Sequence, residues 1–179
     1  MRILSLDLAR VTGYALVARG QVPLCGSFSL TNKPMNENAG EVYFELNCRV
    51  DKLINTYCPE EIWTEQALQV HGRSLLAEAI LLGLAAIAEF TAYNRHIPTY
   101  KASVASIRKA VHGKSNATKE DIAWWCFYNG WPYTDPDACD ALAVAAYAAS
   151  CAGYQLERGP DWQARQSQVF ARAEKEARA

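Results

Sequence analysis

The succession of hydrophobic periods along the chain limits its fold more than any other feature of the sequence. Arg2 to Leu8 alternates weakly and is rich in strand formers. Thr12 to Arg19 and Val22 to Leu30 follow, separated by short turns in which Gly20 and Pro23 stand. That pattern predicts a three-stranded antiparallel meander. The period then changes. Val42, Tyr43, Leu46, Val50, Leu53, Ile54 and Tyr57 recur at three- and four-residue steps, the stripe of a helix that ends before Pro59. Ile62-Trp63-Thr64 reads as a buried strand ending at Glu65, and Ser74 to about Tyr93 as a helix apolar nearly all round, expected to be buried on both sides. Ile97 to Tyr100 predicts a short strand and Ala102 to His112 a helix. Thr118, with Asp121 three residues on, resembles a capping box opening a further helix that Asn129-Gly130 and Pro132 stop. Pro136 leads into an alanine-rich helix from Asp137 to about Tyr154. These elements make one α/β domain over residues 1–154, followed by a charged segment, 155–179, that reads as a surface helix or a frayed tail.

Composition narrows the class. Half of the 179 residues are apolar and 21% are charged, the balance of a globular protein with a real core. Met1 to Leu6 runs straight into a patterned segment without the features of a signal peptide. The uninterrupted apolar run from Ala79 to Ala88 is too short to cross a bilayer, so no membrane is expected. The six cysteines are never closer than ten residues, which leaves no CxxC pair. They read as reduced, mostly buried thiols in a cytoplasmic protein.

The net charge of −1 argues at first against a nucleic-acid partner. Its distribution argues otherwise. From Phe90 to Lys119 there is no Asp or Glu, while Arg95, Lys101, Arg108, Lys109, Lys114 and Lys119 are all basic, leaving 12 basic against 19 acidic side chains elsewhere. Such a segment is either a phosphate-binding surface or simply a solvated basic face.

Four acids stand out. Asp7 lies between Leu6 and Leu8 in the first apolar strand, where a carboxylate is rarely placed unless something stabilises its charge. Glu65 ends a buried strand. Asp137 and Asp140 are three apart at a helix start and point to one side of it. Helix capping is the plain alternative for that pair. A carboxylate cluster without histidines suits hard cations such as Mg²⁺ or Mn²⁺ rather than zinc.

The element order resembles the ribonuclease-H-like fold, and the motifs resemble those of the RuvC-type Holliday-junction resolvases, among them their bacteriophage members. Asp7 followed closely by Arg10-Val11-Thr12-Gly13-Tyr14 is similar to the family's first-strand aspartate and the start of its second strand. Glu65-Gln66 is similar to its glutamate-glutamine, and Asp137-Ala138-Cys139-Asp140-Ala141-Leu142-Ala143 to its DAxDALA helix start. Gly113 and Lys119 reproduce a glycine and a phosphate-contacting lysine six residues later. The resemblance covers about Arg2 to Ala149. The pattern is departed from in two places: Leu8-Ala9 replaces the usual Pro-Gly in a turn one residue shorter, and Leu68 stands where bacterial members often carry a stacking aromatic.

That resemblance implies an α/β, ribonuclease-H-like fold with a five-stranded mixed sheet, three antiparallel strands then two parallel, flanked by helices. It implies an endodeoxyribonuclease that resolves Holliday junctions by two-metal phosphodiester hydrolysis, leaving 5′-phosphate and 3′-hydroxyl ends. Asp7, Glu65, Asp137 and Asp140 would hold two Mg²⁺ ions, with Mn²⁺ able to substitute, and Lys119 would neutralise charge developing on the phosphate. Arg10, Gln66, Leu68, Arg73, Lys101, Arg108, Lys109, Lys114 and Lys119 would contact DNA. A four-way junction is two-fold symmetric, so a homodimer is implied, and the Leu75–Phe90 helix suits either its interface or an intramolecular core. If phage-encoded, the enzyme would work in the cytoplasm of a bacterial host. Three alternatives remain: a less selective nuclease of forks, flaps and three-way branches, a non-catalytic junction-binding module, and an actin-like-fold ATPase or kinase. The last would need a glycine-rich phosphate loop, and none follows Asp7.

Overall fold

A computed structural model describes residues 1–31, 35–66, 75–131 and 133–168. Three strands open the chain: β1 (Arg2–Asp7), β2 (Val11–Ala18) and β3 (Leu24–Ser29). Helix α1 (Met35–Tyr57) leads to β4 (Glu61–Glu65), and α2 (Leu75–Asn94) to β5 (Thr99–Ala102). Helices α3 (Val104–His112), α4 (Lys119–Tyr128) and α5 (Pro136–Cys151) follow. The strands form one sheet in the order β3-β2-β1-β4-β5, antiparallel on the β3-β2-β1 side and parallel from β1 through β4 to β5. This is the mixed five-stranded sheet that the resemblance implies.

Strand β1 is central, and its alternation divides the core in two. Ile3 faces a cluster with Ala15, Val17, Leu142 and Val144, on the side covered by α3, α4 and α5. Leu4 and Leu6 face Val42, Leu46, Val50 and Ile62, on the side covered by α1 and α2. Because side chains alternate between faces, Asp7 falls on the α5 side with Ile3 and Ser5, and Glu65 falls there with Trp63. The buried surface of α5 is rich in alanine (Ala138, Ala141, Ala145, Ala148 and Ala149), which brings its backbone close to the sheet.

Several expectations need correction. The last core helix stops at Cys151 rather than near Tyr154. Strand β5 lies two residues later than Ile97 to Tyr100, because its pairing with β4 begins at Ile62 and Thr99. Within this chain α2 is not buried on both sides. Leu84, Ala88, Thr91 and Ala92 face inward, whereas Leu75, Leu82, Phe90 and Tyr93 are mainly exposed. The cysteines are not mostly buried either: Cys126 and Cys139 are, Cys25 is partly so, and Cys48, Cys58 and Cys151 are exposed. Beyond α5 the chain turns back over α4, where Glu157 O accepts from Trp131 Nε1 at 2.7 Å and Gly159 N–H donates to Asn129 O. A helix over 162–168 lies against α4, its Arg165 guanidinium 5.0 Å from the Phe127 ring centre. The rest of the charged tail lies outside the described residues.

Candidate active site

Strands β1 and β4 are parallel neighbours, and one step beyond their Leu6–Thr64 pair come Asp7 and Glu65. Both acids therefore emerge at the same end of the sheet, a strand spacing apart and on the same face. Helix α5 delivers the other two. Its N-cap is Asp135, whose side chain accepts from Ala138 N–H at 2.9 Å and takes the Ser27 and Thr134 hydroxyls. With the cap filled by Asp135 and Pro136 in the first turn, Asp137 is free of that structural duty, and capping no longer accounts for the Asp137–Asp140 pair. Although burial pushes Asp135 up, the Ser27, Ala138 and Thr134 hydrogen bonds hold its carboxyl below the usual range.

Asp7, Glu65, Asp137 and Asp140 line a single open cleft of about 350 Å³, together with Gln66, Arg108 and Lys119. Its floor is apolar, made by Leu81, Ala85, Val104, Ile107 and Ile122. Lys119 opens α4 directly after its N-cap Thr118, inside the Thr118–Asp121 capping box, and its Nζ lies 2.8 Å from Asp140 Oδ2. The electrostatics follow from crowding. Burial and then the nearby Asp140, Glu65 and Asp137 charges push the Asp7 carboxyl up to about 7, with Lys119 opposing. Asp137 is also raised, first by burial and then by Asp135 and Asp140. The hydrogen bond to Asp140 holds the Lys119 ammonium above its ordinary value. Such crowding leaves the carboxylates short of positive charge, which suits a divalent cation.

The donor set is carboxylate only, which fits hard divalent cations. Among the described residues no three carboxylate, imidazole or thiol groups already stand as a closed cage. The four carboxylates line the cleft without closing on one point, and Lys119 reaches Asp140 there.

The remaining sequence candidates divide. Arg108 and Gln66 belong to the cleft itself. Arg10 is exposed on the turn between β1 and β2, just past Asp7. Lys109 is exposed in the last turn of α3, and Lys114 in the loop that follows the left-handed Gly113 cap. Lys101, half exposed, pairs with Glu89 of α2, and Arg95 of the same basic segment pairs with Asp51 of α1. The basic segment is thus partly neutralised by acids from other elements. Leu68 and Arg73 lie outside the described residues. Sequence reasoning did not find Asp135 or the buried Ser5, although the run Asp135-Pro136 is an N-cap signature.

Comparison with known proteins fits this geometry. A crossover junction endodeoxyribonuclease RuvC from Dehalococcoides mccartyi is 32% identical over 155 residues, covering 81% of this chain and 89% of that protein. The Thermus thermophilus RuvC structure superposes with a TM-score of 0.66 at 20% identity, covering 87% of this chain and 99% of the other. The same protein in complex with a Holliday junction substrate gives 0.69 at 20%, covering 87% and 98%. No protein-family model matches the chain.

Proposed function

Since the chain belongs to the RuvC family of crossover junction endodeoxyribonucleases, we infer that it nicks four-way DNA junctions at the cleft of Asp7, Glu65, Asp137 and Asp140. The observation that carries the reading is the convergence of these four acids, from two strand ends and one helix start, beside a single lysine. We assign the four carboxylates as ligands for two Mg²⁺ ions, with Mn²⁺ able to substitute. When bound, the ions supply Lewis-acid activation of the attacking water and of the leaving 3′-oxygen. The protein's own groups do the rest. Arg108 and Lys119 hold the scissile phosphate against the carboxylates, and Lys119 neutralises charge that grows as the bond breaks. Lys109 and Lys114 hold flanking phosphates, and Gln66 presents a neutral donor and acceptor at the rim.

One gel experiment tests this. A synthetic four-way junction, a fork and a linear duplex are incubated with the protein in Mg²⁺ or in EDTA. Paired, ligatable nicks in the junction that require Mg²⁺ are expected. Equal cutting of the fork favours the less selective branched-DNA nuclease, and cutting in EDTA removes the metal assignment.

The second copy is assigned to α2. Leu75, Ala79, Leu82, Ala86, Phe90 and Tyr93 follow one another at steps of three and four and are all exposed, a continuous apolar stripe. The helix is long and apolar enough to cross a membrane. Its other face, however, is committed to α1: Tyr43 occupies the space at Gly83, and Thr91 donates to Asn47 at 2.8 Å. A two-fold junction matches a two-fold dimer, and a soluble dimer in the cytoplasm covers the stripe without lipid. Leu82→Glu with Phe90→Glu should halve the solution mass in light scattering and convert paired nicks to uncoupled single nicks. A monomeric wild type, or an unaltered double variant, overturns this interface.

A further inference from the structure

The first turns of α5 are seated on the sheet by contacts that the functional reading leaves unexplained. Ser5 of β1 is fully buried and donates its hydroxyl to Ala141 O at 2.7 Å. Ser27 of β3 donates to the Asp135 cap. Between them, β2 contributes an absence. Gly13 pairs directly opposite Asp7 across the β1–β2 ladder, and a Cβ built there would overlap the backbone carbonyl of Asp137. The neighbours at Gly26 and Gly83 are tyrosine side chains that can swing aside, but at Gly13 the neighbour is helix backbone. The gap between Asp7 and the turn carrying Asp137 and Asp140 is therefore set by a residue with no side chain.

We propose that Gly13, supported by Ser5, is a positioning residue of the metal centre. It lets the α5 turn settle close enough for Asp137 and Asp140 to share cations with Asp7 and Glu65. The proposal rests on the reading of this cleft as a metal-dependent nuclease site. Mg²⁺ tolerates little error, because it demands near-octahedral oxygens at about 2.0–2.1 Å. A helix displaced by about 1 Å would cost on the order of 100-fold in rate. Junction binding would survive, because its basic contacts stand on other elements: Arg108 and Lys109 on α3, Lys114 on the loop after it and Lys119 on α4.

The test compares wild type with Gly13→Ala, Ser5→Ala and Val50→Ala. Val50 is buried on the opposite face of the sheet and serves as a destabilised control. Three quantities are read: the Mg²⁺ concentration that half-saturates the rise in thermal midpoint, junction affinity in EDTA, and the single-turnover cleavage rate. Gly13→Ala should need about tenfold more Mg²⁺ and cut about 100-fold more slowly, with affinity within about twofold. Ser5→Ala should move the same quantities in the same direction by about three- to tenfold. Val50→Ala should lower the midpoint and leave the other readings alone. A Gly13→Ala protein with the wild-type Mg²⁺ response and rate overturns the proposal. Should Gly13→Ala fail to fold, an unchanged Ser5→Ala overturns it and a shifted one supports it. A wild type that responds to Mg²⁺ but cuts no junction overturns the nuclease reading alone, because the Mg²⁺ shift still judges Gly13.

Discussion

Asp7→Asn is expected to lower single-turnover junction cleavage by at least about 1,000-fold while leaving junction affinity in EDTA within about twofold. The substitution keeps the size of the side chain and removes its charge at the point where β1, β4 and α5 meet. The same variant carries a pH signature. In the metal-free protein Asp7 is raised from 3.8 to about 7, mainly by burial and then by Asp140, Glu65 and Asp137. Between those values the folded chain holds a proton that the unfolded chain has released, so stability falls as pH rises through that window and levels off above it. The wild-type thermal midpoint in EDTA should therefore decline from about pH 4 to about pH 7, while Asp7→Asn, which keeps only the raised Asp137, declines less and melts higher at pH 8. Adding Mg²⁺ should lift the wild type most at the alkaline end, where the cluster is ionised, and should do little for the variant. Cleavage by Asp7→Asn within tenfold of wild type would remove Asp7 from the site, and a pH-independent wild-type midpoint would remove the crowding argument.

How far the sequence reveals this site depends on whether a signal is local. Alternation is local. With Ile3 and Ser5 inside one layer and Leu4 and Leu6 inside the other, the face taken by Asp7 follows from counting. The Thr118 box is local too, and it places Lys119 at the first position of α4. What cannot be read locally is which groups meet across elements. The run from Phe90 to Lys119 holds no acid, yet Arg95 and Lys101 find partners in Asp51 and Glu89. The apolar circumference of α2 likewise does not say which stripe stays inside its own chain. Tyr43 at Gly83 decides that, and it comes from α1. Strand β5 was displaced for a similar reason. Ile97 packs into the α1-side core, and strand pairing starts beyond Pro98. Gly13 is the extreme case. Its neighbour in space is Asp137, more than a hundred residues away, so only the folded chain explains why a side chain is missing there.

Lys119 and Lys114 should separate into different kinds of basic residue. Lys119 reaches 2.8 Å from Asp140 inside the cleft, while Lys114 is exposed on the loop after α3. Removing Lys114 should weaken binding to every branched substrate alike and flatten the salt dependence by about one unit of slope, because each lost phosphate contact releases one fewer set of counterions. Removing Lys119 should instead slow single-turnover cleavage by about 100-fold, with a smaller loss of affinity, because its charge opposes one that grows only as the phosphodiester bond breaks. A second consequence follows from its place among the acids. Lys119 lowers the cost of charge on both Asp7 and Asp137, so without it the metal-free protein should lose stability more steeply as pH rises toward 7. Junction affinity across a salt series, single-turnover rates at saturating protein and melting curves in EDTA measure all three. If Lys119→Ala loses affinity with the salt slope of Lys114→Ala and keeps its rate once bound, the ammonium belongs to the DNA-binding surface and charge neutralisation in the cleft falls to Arg108.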